Sequence, residues 1–301
     1  MSHELDPSFN RDARRSDLLL HPTESLTNGR PIDGAIELCV RLHEWCGVYL
    51  EPTKTYLIEN RLRSLMDDLG IHDYKSLIEI ASSGSGMPIR NRIIDALTTH
   101  ETLFFRDSAP FEVIANHLVP GIREMSRFGS PRLSVWTAAC STGQESYSIA
   151  IQLLESVPDI KQWNLSILGT DVSSAIIERA RTGVYFDHEV RRGLTPQRLQ
   201  KYFVQESEDW RINDCVREMV HFEVQNINDS TQPQGPFDVI FCRNVLIYFS
   251  VDDARRILQK IAGRLASSGR LFLGSSEVPR NINDFLTMEN IGGATCYRRK
   301  E

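Results

Sequence analysis

The stretch Leu133-Ser134-Val135-Trp136-Thr137-Ala138-Ala139-Cys140-Ser141-Thr142-Gly143-Gln144-Glu145 decides the fold. An apolar run opens into small residues and a glycine, then passes directly into a helical pattern. That order reads as strand, tight turn and helix start, the first unit of a nucleotide-binding α/β domain. Small residues let backbone N–H groups approach a ligand, and the helix that follows directs its positive end there. The stretch lacks the G-x-G-x-x-G spacing of a pyrophosphate turn, so by itself it also reads as ordinary β–α punctuation. Its neighbours must decide.

Downstream the same grammar repeats. A strand is expected over 165–169, a helix over 173–181, strands over 220–224 and 237–242, a helix over 250–266 and a strand over 270–274. The 250–266 helix is the plainest: Ser250 and Asp253 form a capping start, Ala254, Ile257, Leu258, Ile261, Ala262 and Leu265 line one face, and Gly269 ends it. Two short strands, 286–289 and 295–298, close the chain. Strands alternating with helices require a parallel sheet. The alternation pauses over about 186–218, a stretch longer than a crossover needs, which predicts an inserted subdomain beside the site.

Upstream, residues 1–31 are polar and aperiodic and read as a flexible extension. Residues 32–107 carry helical periodicity and no strand pattern, predicting an all-helical domain. Its second helix bears Lys54, Arg61 and Arg63, which reads either as solvated surface or as a face for an acidic partner. Residues 108–131 predict a linker helix, and 132–301 the α/β domain.

With 301 residues and a formal net charge of −6, the chain has globular composition and lacks the basic excess of a general nucleic-acid binder. Six cysteines without a C-x-x-C pair indicate neither zinc nor a disulfide framework. No apolar run approaches a membrane span, so a cytoplasmic, monomeric protein without membrane insertion is expected.

In an open parallel sheet, ligands bind beyond the carboxyl ends of the strands. Those ends carry the turn 138–145, Asp171, Asn226, and Arg243-Asn244-Val245. Asp171 is placed to accept from both ribose hydroxyls, or alternatively to cap the helix at 173. The set together describes a nucleoside pocket.

Four segments carry a resemblance: 99–107 (Thr-His-Glu-Thr-Leu-Phe-Phe-Arg-Asp), 139–145 (Ala-Cys-Ser-Thr-Gly-Gln-Glu), Gly169-Thr170-Asp171, and 241–249 (Phe-Cys-Arg-Asn-Val-Leu-Ile-Tyr-Phe). In that order they resemble the CheR family of chemotaxis protein methyltransferases, from about Asp33 to near the C-terminus. The resemblance implies a helical N-terminal domain, a Rossmann-like domain binding S-adenosylmethionine with a small β-subdomain inserted, and methylation of glutamates on the cytoplasmic helices of chemoreceptors. Carried over by motif, it implies cofactor contacts at His100, Thr102, Arg106, Glu145, Asp171, Asn226, Ile227, Asn244 and Val245. Arg106 suits a bidentate grip on the methionine carboxylate, and Tyr248 either positions the acceptor carboxylate or packs beside Phe249. Lys54, Arg61 and Arg63 would then meet the Glu-rich receptor helices. His100, Cys140 and Ser146 depart from the family's commonest residues, His100 replacing an expected Asn. Two other readings stay open: the same fold acting on another acceptor, and a non-catalytic sensor of S-adenosylmethionine or S-adenosylhomocysteine.

Overall fold

The computed structural model describes residues 26–27, 30–31, 34–51, 55–126 and 129–300. The expected extension therefore lies almost wholly outside the described residues, and Lys54 lies outside them altogether. The chain divides into two compact units, Met1–Thr98 and Thr99–Glu301.

Among the described residues, the first unit holds four helices, α1 (Ala35–Cys46), α2 (Thr55–Leu69), α3 (Tyr74–Ser82) and α4 (Met87–Leu97), with a two-residue antiparallel ladder before them. Each helix buries one stripe at three- and four-residue spacing: Leu38 and Leu42 on α1, Ile58, Leu62 and Leu65 on α2, Leu77 and Ala81 on α3, Ile93, Ile94 and Leu97 on α4. The Asp73 side chain caps α3, accepting from the Ser76 amide at 2.8 Å. The boundary at Thr98 falls nine residues short of the expected 107, because 99–107 packs into the second unit.

Residues 108–126 belong there too. The stretch is α5 (Ala109–Val113), one π-helical turn Ile114–Leu118, and α6 (Val119–Met125). Phe111, Ile114 and Val119 are buried in the same cluster as Leu133, Val135 and Phe241. A linker was expected; the apolar face of this segment instead forms part of the α/β core.

The second unit is built on a seven-stranded sheet. Its elements are β1 (Arg132–Ala138), α7 (Gln144–Ser156), β2 (Asn164–Asp171), α8 (Ser174–Thr182), an intervening region from Val184 to Arg217, β6 (Val220–Val224), β7 (Phe237–Cys242), α12 (Val251–Ala262), β8 (Leu265–Leu273), β9 (Leu286–Ile291) and β10 (Ala294–Arg299). The order across the sheet is β9-β10-β8-β7-β1-β2-β6. The pairs β1–β2, β1–β7, β2–β6 and β7–β8 are parallel, while β8–β10 and β9–β10 are antiparallel. β1 is the centre of the five parallel strands: the chain runs outward from it to β2 and β6 on one side, then restarts at β7 on the other. That reversal opens a crevice at the carboxyl ends of β1 and β7. Both faces are covered, so β1 is buried from Leu133 to Ala138 rather than alternating. Trp136, Ile240 and Leu271 pack with Ile257, Leu258 and Ile261 of α12 on one side; Val135, Phe241 and Phe272 pack with Ile149 and Phe111 on the other.

The intervening region contains β3 (Val184–Phe186), α9 (Asp187–Arg191), α10 (Pro196–Tyr202), β4 (Phe203–Glu206), β5 (Asp209–Ile212) and α11 (Asp214–Arg217), with the three strands forming an antiparallel sheet in the order β3-β5-β4. Tyr185, Phe203 and Ile212 are the buried residues of this small sheet. Phe104 fills the space beside two of them, with ring centroids 5.0 Å from Tyr185 and 5.4 Å from Phe203. Gly193, at φ +101°, lies against the Phe104 carbonyl so closely that a Cβ there would sit 1.8 Å from the oxygen.

One further contact shapes the crevice floor. The Phe222 ring, from the outermost strand β6, lies under both Gly169 and Gly143: a Cβ would come within 2.6 Å of it at the first and 2.9 Å at the second.

Candidate functional site

The turn after β1 is wound tightly. Ala139, Ser141 and Gly143 have φ of 56°, 52° and 89°. Only the last is a glycine, and each L-residue in that region costs about 1–2 kcal/mol. Bonds on all sides hold the strained form. The Ser141 amide donates to Asp171 Oδ2 at 2.9 Å, and its hydroxyl donates to the His100 carbonyl at 2.7 Å. The Tyr185 hydroxyl donates to the Thr142 carbonyl at 2.8 Å. Strain sustained by so many partners marks a functional turn.

Asp171 stands at the end of β2, next to that turn, and is buried. Its other oxygen, Oδ1, accepts the Ser173 amide at 3.1 Å. The helix cap is Ser173, whose hydroxyl accepts from the Ile176 amide at 3.1 Å, so Asp171 is not spent as the cap of α8. Each Asp171 oxygen takes one backbone donor and keeps a lone pair. Burial pushes its carboxyl up, opposed by the neighbouring His100 charge and by the two amides.

Glu145 opens α7. Its Oε1 accepts from Arg243 Nη1 at 2.6 Å, and Oε2 accepts no hydrogen bond among the described residues. Burial raises its carboxyl above the usual range, offset by Arg243 and Arg106 and reinforced by Glu277. Arg243 follows β7, and its side chain is only 2% exposed. Its Nη2 donates to Asp107 Oδ2 at 2.7 Å and to the Arg106 carbonyl at 2.8 Å.

The 99–107 segment is anchored by buried Phe104, while the Phe105 amide donates to Ser148 Oγ at 2.9 Å. Phe105 and Asp107 have φ of 50° and 54°, a turn that leaves Arg106 between them half-buried. Asp107 pairs with Arg243 rather than with Arg106. Thr102 and His100 are half-buried on the same segment.

The other two strand ends are arranged by backbone. Asn226 Oδ1 accepts the Asn228 amide at 2.9 Å, an Asx turn that leaves Ile227 buried. Asn244 has φ 58°. Glu277, buried beyond β8, accepts three amides: Asn244 to Oε2 at 2.7 Å, Gly274 to Oε2 at 2.7 Å and Leu246 to Oε1 at 2.8 Å. Val245 packs on the α12 cluster. Tyr248 ends the 3-10 turn Leu246–Tyr248, half-buried, its hydroxyl making no hydrogen bond among the described residues.

The structure thus gathers His100, Thr102, Arg106, Glu145, Asp171, Asn226, Ile227, Asn244, Val245 and Tyr248 within the unit that starts at Thr99. Arg61 and Arg63 lie on α2 of the first unit. Arg61 Nη1 donates to the Leu97 and Thr98 carbonyls at 2.9 and 3.3 Å, at the C-terminus of α4, and exposed Arg63 pairs with Glu59 at 3.3 Å. Arg243 and Glu277 were given no role from the sequence. The signal for each was present: a charge immediately after an apolar strand for Arg243 and four residues after one for Glu277, where burial obliges it to find partners.

A family model described as "CheR methyltransferase, SAM binding domain" matches residues 100–292. The chain belongs to the CheR methyltransferase family. It is 38% identical over 269 residues to "Chemotaxis protein methyltransferase 1" of Pseudomonas aeruginosa, covering 87% of this chain and 96% of that one. It is 36% identical over 269 residues to "Chemotaxis protein methyltransferase Cher2" of Pseudomonas putida, with the same coverages. To "Chemotaxis protein methyltransferase" of Escherichia coli it is 33% identical over 263 residues, 85% of this chain and 87% of that one. As a CheR protein it is an S-adenosylmethionine-dependent methyltransferase of chemotaxis. No helix among the described residues is long and apolar enough to cross a membrane.

Proposed function

We propose that this chain methylates glutamate side chains on the cytoplasmic helices of chemoreceptors, forming glutamyl methyl esters, and that it works in the cytoplasm. The relatives named above are chemotaxis methyltransferases. The observation that carries the reading is three charges brought to the strand ends: Asp171 and Glu145, held by hydrogen bonds and keeping lone pairs for a ligand, and half-buried Arg106, whose guanidinium makes no hydrogen bond among the described residues.

The residues fit S-adenosylmethionine from end to end. Arg106 takes the methionine carboxylate and Glu145 Oε2 the ammonium, a pair of opposite charges matching a zwitterion. The remaining lone pairs of Asp171 take the ribose hydroxyls. Asn226 and Ile227 on one side and Asn244 and Val245 on the other bound the adenine, and Thr102 and His100 close the near side. A sulfonium nucleoside has no phosphate, which is why the turn after β1 needs a single glycine.

When bound, the cofactor supplies a methyl group on a positively charged sulfur. The protein's share is placement. A glutamate carboxylate is anionic at neutral pH and needs no base, so the chain has to align it and exclude water, and alignment alone supplies on the order of 7–11 kcal/mol. Tyr248, with an unclaimed hydroxyl, donates to the acceptor carboxylate. Lys54, Arg61 and Arg63 attract the acidic receptor helix.

Incubation with methyl-labelled cofactor and receptor-containing membranes, followed by base, tests the reading. A glutamyl methyl ester releases volatile labelled methanol. Label retained in non-volatile form points to another acceptor, and cofactor binding with no transfer points to a sensor.

A further inference from the structure

We infer that Arg243 is a positioning residue that presets the grip on the amino-acid end of the ligand, so that the protein selects nucleosides carrying that end. The inference rests on the cofactor assignments of Arg106 and Glu145 above.

Arg243 lies at the exit of β7, yet every group that accepts its hydrogen bonds belongs elsewhere: Glu145 at the start of α7, and Arg106 and Asp107 on the segment before α5. Its two terminal nitrogens act separately. Nη1 occupies one oxygen of Glu145 and so fixes which oxygen remains for an ammonium. Nη2 fixes the 105–107 turn through a backbone carbonyl and a carboxylate together. That turn has two L-residues at positive φ, a form that persists only when neighbours enforce it.

The second consequence concerns competition. Asp107 is adjacent in sequence to Arg106 and would be its nearest counter-ion. By drawing the Asp107 carboxylate to itself, Arg243 leaves the Arg106 guanidinium available for a ligand carboxylate. With a side chain 2% exposed, it bridges two carboxylates in a place where removing the bridge leaves Glu145 buried and unpaired, a costly state. A lysine keeps the charge but offers one compact ammonium, which cannot reproduce the fork that serves three acceptors.

The test separates the two ends of the ligand. S-adenosylhomocysteine has the amino-acid end; 5′-methylthioadenosine shares its nucleoside and thioether and lacks that end. Affinities of both are measured for the full-length protein, Arg243→Lys and Asp107→Asn. Arg243→Lys lowers S-adenosylhomocysteine affinity about tenfold or more, the loss of one charge-assisted hydrogen bond, while 5′-methylthioadenosine binds as it does to the unmodified protein. Asp107→Asn, a change at a half-exposed side chain that leaves the Glu145 pairing in place, gives the same selective loss in smaller measure. Equal loss of both ligands makes Arg243 a general packing residue and overturns the inference, as does undiminished S-adenosylhomocysteine affinity in both variants. If the unmodified protein binds neither ligand, the cofactor assignment itself fails.

Discussion

With the cofactor placed as proposed above, Glu145 couples ligand binding to pH. Burial lifts its carboxyl above the ordinary range even with Arg243 and Arg106 beside it. An ammonium ligand favours the ionised form, so affinity for S-adenosylhomocysteine is complete above the raised pKa and falls as pH drops through it. Glu145→Gln lowers affinity at neutral pH and abolishes that acid limb, which titration calorimetry across pH reads directly. For folding without ligand the sign is opposite. The folded state holds the Glu145 proton more tightly than the unfolded chain, so this group's contribution to stability declines as pH rises from the usual glutamate range through the folded value. Tyr248→Phe slows methyl transfer about tenfold or more, the scale of one hydrogen bond to a charged group, and leaves S-adenosylhomocysteine affinity unchanged; an equal fall in affinity removes the positioning role. On α2, Arg63 makes only an exposed pair with Glu59, whereas Arg61 also donates to the end of α4, so Arg63→Glu is the cleaner probe of docking. Receptor methylation by that variant is slower at low salt, and the difference closes as salt rises. At this scale the sequence disclosed which strand ends bear polar side chains. It could not disclose that Asp107 turns from Arg106 toward Arg243, because that partner stands 136 residues away and no local pattern encodes it.

Elements were legible in proportion to their length and periodicity. The α12 stripe as far as Ala262 and the alternation of strands with helices could be read, since burial of one face imposes a period wherever an element spans several turns or pleats, but Leu265 and Gly269, expected on the helix face and at its stop, lie in β8, because the helix ends at Gly263 and the apolar run passes straight into the strand. The π turn inside 109–125 left no such mark: it shifts the register of a continuous apolar helix without changing which residue types appear. The strands at 184–186, 203–206 and 209–212 are three or four residues long, too short for alternation to show, so only their collective interruption of the α/β rhythm could be seen. Their link to the site runs through Gly193. Gly193→Ala forces a Cβ onto the Phe104 carbonyl and also strains a backbone at φ +101°, costing at least about 2 kcal/mol. Thermal unfolding should show a lowered midpoint, accompanied by weaker S-adenosylhomocysteine binding because the 99–107 segment carries Thr102 and Arg106. A variant with unaltered melting would mean that the segment moves aside without cost.

Across the whole molecule, the alternation that calls for a parallel sheet was accessible from the sequence, while the order of the strands and the seam between the two units were not. Residues 99–126 continue a helical pattern that looks like more of the first unit, and only the burial of Phe104 and Phe111 against β-sheet residues assigns them to the second. Every residue proposed to hold the cofactor therefore lies from His100 onward. A fragment beginning at Thr99 is expected to fold and bind S-adenosylhomocysteine, by circular dichroism and calorimetry; a fragment that folds without binding would show that the first 98 residues are needed for the site. The two glycines that rest on the Phe222 ring, one in the turn after β1 and one in β2, bear on how such a protein can change over generations. Gly169 has no room for a side chain because Phe222 fills it, whereas Gly143 is also held to glycine by its φ of 89°; Phe222 sits on the edge strand β6, remote from both in the chain. An alanine at 169 is viable only in a descendant whose residue 222 has already shrunk, and the reverse step only leaves a void. Positions 169 and 222 form one heritable unit, and mutational paths through them have an order.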